Sequence, residues 1–180
     1  MRGGSRAVFL DRDGVLVRAP VVEGKPRSIH RVEDLELEDG AFDACTALRD
    51  AGFLLVVVTN QPEIARGTLT REAVDAMHTR LTELLPLDGI RVCPHDDADE
   101  CACRKPKPGM LVDAAREHGI ALERSFLVGD RWRDVEAGRR AGCTCVFLDR
   151  QYSEPMRVRP DVTVRSLGEA VAWILARSGE

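Results

Sequence analysis

The 180-residue chain has no long apolar run. None approaches the ~20 residues that a helix needs to cross a bilayer. The opening stretch, MRGGSRAVFLDRDGV, has early arginines but only a short apolar segment, closed off by charges, so it does not read as a secretory leader. The expectation is a cytoplasmic protein with no membrane partner. An excess of basic charge is also missing: 26 Lys and Arg stand against 30 Asp and Glu, a net charge of −4. That balance argues against a nucleic-acid partner, which would draw on clustered Lys and Arg. A small anionic substrate is still allowed, because a few local cations can outweigh the global sum. There is no internal repeat, no low-complexity segment and no strong exposed apolar face, which leaves a monomer as the expected state.

What remains is the pattern of a globular α/β protein. Hydrophobic residues make up 44%, enough to build a core, and the length suits a single domain over residues 1–180. Short apolar runs alternate with segments of helical spacing. AVFLD (7–11), FLLVVVTN (53–60), IRVC (90–93), SFLVGD (125–130), CTCVFLD (143–149) and DVTV (161–164) read as strands. Residues 40–52, 70–85, 108–120, 134–142 and 166–178 read as helices, with Thr70 as an N-cap and Gly119 as a stop. FLLVVVTN is almost wholly apolar, as a strand covered on both faces should be. Strand–helix alternation predicts a three-layer, Rossmann-like parallel sheet with helices on both faces. Ligands of such sheets bind beyond the carboxyl ends of the strands. Residues 18–34 are the longest irregular stretch and are expected to form a loop or small hairpin over the site. Only 25 residues separate Asp13 from Asp39, and residues 61–92 are used by one helix and one strand, so there is no room for a large cap domain.

Polar residues sit where that site should lie: Asp11 and Asp13 after the first strand, Thr59 and Asn60 after the second, Asp130 after the fourth. Asp11 and Asp13 are two apart and are expected to face the same side, with Gly14 allowing the turn behind them. Carboxylates that close repel one another unless a cation or a shared proton intervenes. With Asp130 they would form an all-oxygen cluster suited to Mg²⁺, and Mg²⁺ commonly completes its shell with phosphate. The expected partner is therefore a phosphorylated small molecule.

A second set of ligands lies in CPHDDADECACRKPKPGM (93–110). Cys93, His95, Cys101 and Cys103 offer three thiolates and an imidazole, which fill a tetrahedral Zn²⁺ site and leave no position for substrate. Such a site is structural. The four acidic residues between the ligands are expected to be solvated, since Zn²⁺ favours sulfur and nitrogen. The zinc loop, 93–103, leads directly into Arg104 and Lys105, and so would set both on a stiff support. Arg104 is a candidate to grip a second anionic group. Cys45, Cys143 and Cys145 are read as core residues, and His30, His78 and His118 show no partner pattern.

FLDRDGV, VVVTNQ, CRKPKPGM and VGDRWRDVEAG, in that order over residues 7–142, resemble the four motifs of the haloacid dehalogenase (HAD) superfamily. The resemblance implies a phosphohydrolase in which Asp11 is the nucleophile and Asp13 the general acid and base. Mg²⁺ would be held by Asp11, the Asp13 backbone carbonyl and Asp130. Thr59 and Asn60 would hold phosphate oxygens, and Lys105 would supply positive charge to the phosphoryl group. Asp134 would orient Lys105 or metal-bound water, and Arg131 would support the cluster. The zinc loop is similar to that of the branch containing heptose bisphosphate and histidinol phosphatases. TNQPEIARG and RKPKPGML resemble the heptose enzymes, which implies removal of the 7-phosphate of D-glycero-D-manno-heptose 1,7-bisphosphate, with the α anomer slightly preferred. Arg104, helped by Lys107 or Arg66, would then bind the remaining phosphate. Val15 and Pro62-Glu63 depart from the branch pattern. Glu63 would suit the amine of histidinol phosphate, the alternative substrate. A non-catalytic zinc scaffold of the same fold is the alternative of another class, but it would have no need to keep Asp11, Asp13, Lys105 and Asp130 together.

Overall fold

A computed structural model describes residues 4–178. Six parallel strands form the sheet: β1 (Ala7–Leu10), β4 (Leu54–Asn60), β5 (Gly89–Cys93), β6 (Phe126–Gly129), β7 (Thr144–Leu148) and β8 (Val162–Val164). Their spatial order is β5-β4-β1-β6-β7-β8. A separate two-stranded ribbon, β2 (Val21–Val22) and β3 (Lys25–Pro26), pairs antiparallel. The helices are α1 (Ala41–Asp50), α2 (Arg71–Leu84), α3 (Gly109–His118), α4 (Trp132–Ala141) and α5 (Leu167–Arg177).

The period of two along each strand divides the core. In β1, Val8 and Leu10 join one apolar cluster while Ala7 and Phe9 join the other. In β4, Leu55 and Val57 face the first, Val56 and Val58 the second. The first cluster is covered by α1, α2 and α5, through Leu48, Met77, Leu81 and Ile174 among others. The second is covered by α3 and α4, through Met110, Leu111, Ala114 and Ala137. This is the three-layer α/β/α arrangement expected from the alternation. Helix limits also follow local chemistry. The Thr70 side chain accepts from the Ala73 N–H at 3.2 Å, and the chain leaves α3 and α4 through Gly119 and Gly142, both left-handed.

From β1 the chain moves outward to β4 and β5, then returns to the other side of β1 as β6. The helices after β1 and β6 accordingly lie on opposite faces. That reversal opens a crevice at the carboxyl ends of β1 and β6, the position expected for a ligand. Residues 18–34 do contain a small hairpin. Its turn residues Glu23 and Gly24 both have positive φ, 52° and 71°, the turn that suits the twist of a two-residue β-ribbon. Among the described residues no cap domain stands over the sheet, and no helix is long and apolar enough to cross a membrane.

Candidate active site

Asp11 follows the last residue of β1, and its backbone N–H continues the ladder to the Val128 carbonyl at 3.0 Å. Asp130 follows β6, and Asp134 lies on the first turn of α4. All three are buried, and each offers a carboxylate oxygen within 4.8 Å of the others. Uncompensated, three such charges would repel strongly. One compensation is Lys105. Its ammonium, 2% exposed as a residue, lies 2.9 Å from Asp11 Oδ1 and 2.5 Å from Asp134 Oδ1, and donates to the Val58 carbonyl at 2.8 Å. Burial alone would lower the Lys105 pKa, but Asp11 and Asp134 outweigh it and raise it above the ordinary value. Burial raises Asp11 to about 6, against the opposing pull of Lys105 and with the Asp134 charge adding to the rise. Asp130 is raised well above the usual carboxylate range, again first by burial and then by Asp11 and Asp134.

Asp130 is the least satisfied of the three. Tyr152 donates to its Oδ2 at 2.8 Å, while its buried Oδ1 has no partner. An orphaned carboxylate oxygen costs on the order of 1–3 kcal/mol or more. An all-oxygen set with one unpartnered donor fits a hard divalent cation such as Mg²⁺. Two glycines make the packing possible. A Cβ on Gly14, at φ +82°, would lie 2.0 Å from Asp130 Oδ2, and one on Gly129 would lie 2.2 Å from the Asp134 Cβ.

Asp13 does not join this cluster through its side chain. It is turned toward Arg12, whose Nε and Nη2 donate to its Oδ1 and Oδ2 at 3.0 and 2.9 Å, and toward Gln61, whose Nε2 donates to Oδ2 at 3.0 Å. The third carboxylate of the oxygen cluster is Asp134, which the spacing of Asp11 and Asp13 alone could not indicate. Both Asp11 and Asp13 still line one open cleft. Thr59, Asn60, Lys105, Arg131 and Asp134 share its walls. Asn60 holds Lys105 from both sides of the peptide: its Nδ2 donates to the Lys105 carbonyl and its Oδ1 accepts from the Lys105 N–H, each at 3.1 Å. Arg131 forms a fork with Glu154 at 2.8 and 2.7 Å, and its N–H is accepted by Asp134 at 3.0 Å.

Arg66 and Arg104 are not among the cleft-lining residues. Arg66 makes a bidentate pair with Asp96 at 2.6 and 2.8 Å, while Arg104 donates to Asp97 at 2.8 Å and to the His95 carbonyl at 3.1 Å. Lys107 donates to the carbonyls of Glu100 and Cys101. Acidic residues expected to be solvated therefore strap the loop with these cations. The cleft instead presents Arg27 and Ser28 from the end of the ribbon, and Arg133 from α4. Arg27 was not distinguishable in the sequence because its place depends on how the irregular stretch folds. Glu63 does not line the cleft either.

Cys93, His95, Cys101 and Cys103 do converge, with ligand atoms within 4.8 Å of one another. Sulfur–sulfur and sulfur–nitrogen separations run from 3.2 Å (Cys103–Cys93) to 3.7 Å (Cys93–His95). Tetrahedral ligands about 2.3 Å from a central ion would stand about 3.7 Å apart, so the cluster need open by only a few tenths of an ångström. The thiols form no disulfide. Cys45, Cys143 and Cys145 are core residues, as expected.

Carboxylates and a lysine gathered at a topological switch point, beside an oxygen cluster shaped for a cation, describe an enzyme that handles an anionic, oxygen-rich group. The comparisons identify which. Residues 102–170 match the HAD-hydrolase-like family. The chain is 35% identical to the D-glycero-beta-D-manno-heptose-1,7-bisphosphate 7-phosphatase of Helicobacter pylori, over 94% of this chain and 97% of that protein. It is 36% identical to the D-glycero-D-manno-heptose-1,7-bisphosphate 7-phosphatase of Thermosynechococcus vestitus, over 93% and 94%. A solved structure of the D,D-heptose 1,7-bisphosphate phosphatase of B. bronchiseptica, complexed with magnesium and phosphate, superposes with a TM-score of 0.79 at 29% identity, covering 95% of this chain and 98% of that one. The chain belongs to the HAD-like hydrolases and is a phosphatase.

Proposed function

We propose that this phosphatase removes the 7-phosphate of D-glycero-D-manno-heptose 1,7-bisphosphate through an aspartyl-phosphate on Asp11, acting as a monomer. One observation carries the assignment of the reaction centre: Lys105 Nζ bridges Asp11 and Asp134 beside the unpartnered Asp130 Oδ1. Asp11 Oδ1 is held by Lys105 and by the Arg12 N–H at 2.8 Å, which fixes the carboxylate in the wall of the cleft as a nucleophile. It attacks phosphorus, the bond to the sugar oxygen breaks, and Asp13 delivers a proton to the departing alkoxide. Asp13 then takes a proton from the water that hydrolyses the acyl phosphate. Splitting the displacement in this way replaces one difficult step with two easier ones. Lys105, Thr59 and the Asn60 backbone meet the transferring phosphoryl oxygens.

Mg²⁺ fits the Asp11 and Asp130 carboxylates together with the Asp13 backbone carbonyl. When bound it offsets the repulsion between an anionic nucleophile and an anionic phosphate. Asp134 is occupied by Lys105 and so serves to orient it. Zn²⁺ fits the Cys93, His95, Cys101 and Cys103 cluster, where it would brace the loop that carries Lys105 and take no part in the reaction. The second phosphate of the substrate would meet Arg27 at the rim. Arg133, which pairs with Asp97 at 3.1 Å, Arg104 and Arg66 would reach it only by leaving their carboxylate partners.

The H. pylori relative is named for the β anomer, so the decisive measurement runs α- and β-heptose 1,7-bisphosphate and histidinol phosphate side by side. Each is assayed with Mg²⁺ and after gel filtration into buffer without divalent cations. Turnover of a heptose bisphosphate at the highest kcat/KM, lost without added cation and restored by Mg²⁺ alone, is the expected result. A preference for histidinol phosphate would overturn the substrate, and restoration by Zn²⁺ alone would overturn the division of the metals.

A further inference from the structure

Arg12 is one of the largest fully buried side chains in the protein, 1% exposed. A guanidinium presents five N–H donors in a fixed fork and cannot be neutralised, so burying one demands acceptors on each side. Two of its nitrogens are used by the Asp13 carboxyl group, at 3.0 and 2.9 Å. The third, Nη1, lies 3.0 Å from Nε2 of His78, a buried residue on α2. An arginine can only donate, so Nε2 must accept, which places the imidazole proton on Nδ1. Burial first, and the Arg12 charge second, lower His78 to about 4, so the ring is neutral near neutral pH and free to accept. On the other side of Asp13, Gln61 donates from one Nε2 to both Asp13 Oδ2 and Thr59 Oγ1, each at 3.0 Å.

We propose that His78 is a positioning residue for the phosphatase reaction: it locks the Arg12 fork, and the fork sets the direction of the Asp13 carboxyl group toward the leaving oxygen. This rests on the reading of Asp13 as the proton donor. Each carboxyl oxygen has two lone-pair directions. The network fixes the carboxyl plane from behind and leaves its remaining edge to the cleft. Without His78, Nη1 of Arg12 loses its partner in the interior, and the fork is free to swing with Asp13 attached. The loss would fall on both proton transfers of Asp13, to the departing alkoxide and from the water that hydrolyses the acyl phosphate, not on substrate binding or on nucleophilic attack by Asp11.

The leaving group separates those steps. An alkoxide needs a proton as it departs, whereas p-nitrophenolate leaves without one. In His78→Leu, kcat/KM on the heptose bisphosphate, which reports the steps through departure of the alkoxide, should fall by about tenfold or more, a part of what a positioned acid supplies. On p-nitrophenyl phosphate kcat/KM should fall by less than about threefold, because the later hydrolysis, shared by both substrates, does not enter it. His78→Gln keeps an acceptor near the same place and should recover most of the loss. Equal losses on both substrates, no loss on either, or a glutamine variant as poor as leucine would each overturn the proposal. If wild-type protein hydrolyses p-nitrophenyl phosphate but not the heptose, the substrate reading alone fails, and the same ratio taken with glycerol 3-phosphate tests His78. A second measurement needs no variant: ¹⁵N spectra of labelled wild-type protein should show His78 protonated on Nδ1 and bare on Nε2. A proton on Nε2 excludes the Arg12 bond and with it the proposal.

Discussion

At the residue scale, the site is a problem of charge compensation. Asp11, Asp130 and Asp134 place three carboxylates within 4.8 Å, and only Lys105 meets two of them among the described residues. The stability consequence has a definite sign. An unfolded Asp ionises near 3.8, whereas folded Asp11 ionises at about 6. Metal-free protein therefore holds its full stability from this group below the unfolded value and loses it as pH rises toward the folded one. Asn cannot ionise. Asp11→Asn should thus gain on wild type between about pH 4 and about pH 6, by an amount on the order of 2–3 kcal/mol, while losing all turnover. Urea melts of both proteins in EDTA at the two ends of that window check it. A difference that stays flat or reverses would mean that Asp11 is not strained by its neighbours, and retained turnover would remove it as the nucleophile. Not all of this was open to inspection in the linear chain. Asp11, Asp13 and Asp130 stand out because strands end at them. The Arg12–His78 contact joins residues 66 apart and leaves no periodic trace, so His78 read as a histidine without a partner.

At the scale of elements, hydrophobic patterning located all six strands of the main sheet and all five helices to within about two residues, because apolar runs such as LLVVVT have no alternative to burial on both faces. The irregular stretch at 18–34 was legible only as a loop or hairpin. Its ribbon is held by two residue pairs, too few to produce a pattern, and so the place of Arg27 at the cleft could not be read. The loop at 93–103 shows the opposite case. Its converging cysteines and histidine were legible from chemistry, but its salt bridges were not, because Arg66 reaches Asp96 across 30 positions. Protein purified without added metal should contain about one zinc per chain, the closed four-ligand number. Removing it with a strong chelator should lower both the melting temperature and kcat, since Lys105 would lose its support. Zinc near zero, or full activity after its removal, would refute the bracing role.

At the scale of the whole molecule, a net charge of −4 coexists with a cleft that carries Arg27, Lys105, Arg131 and Arg133. Local fields, not the sum, decide which ligand enters. With no cap domain among the described residues, nothing large shuts over the cleft, so selectivity has to come from groups on its rim. Arg27→Ala should raise KM for the bisphosphate by about tenfold, the value of one charge-assisted contact. It should leave p-nitrophenyl phosphate, which has no second phosphate, within about twofold. Equal effects on the two would place the second phosphate elsewhere. A last consequence concerns evolution and engineering. Lys105 is registered by the Asn60 amide on one flank and by the Cys101 and Cys103 anchors on the other, while residues 96–100 bridge His95 and Cys101 outside that tether. That span is nevertheless tied down, since its Asp96 and Asp97 hold Arg66 and Arg104, the neighbour of Lys105: a foreign segment grafted there must keep both acids if the lysine is to stay aimed at its carboxylates.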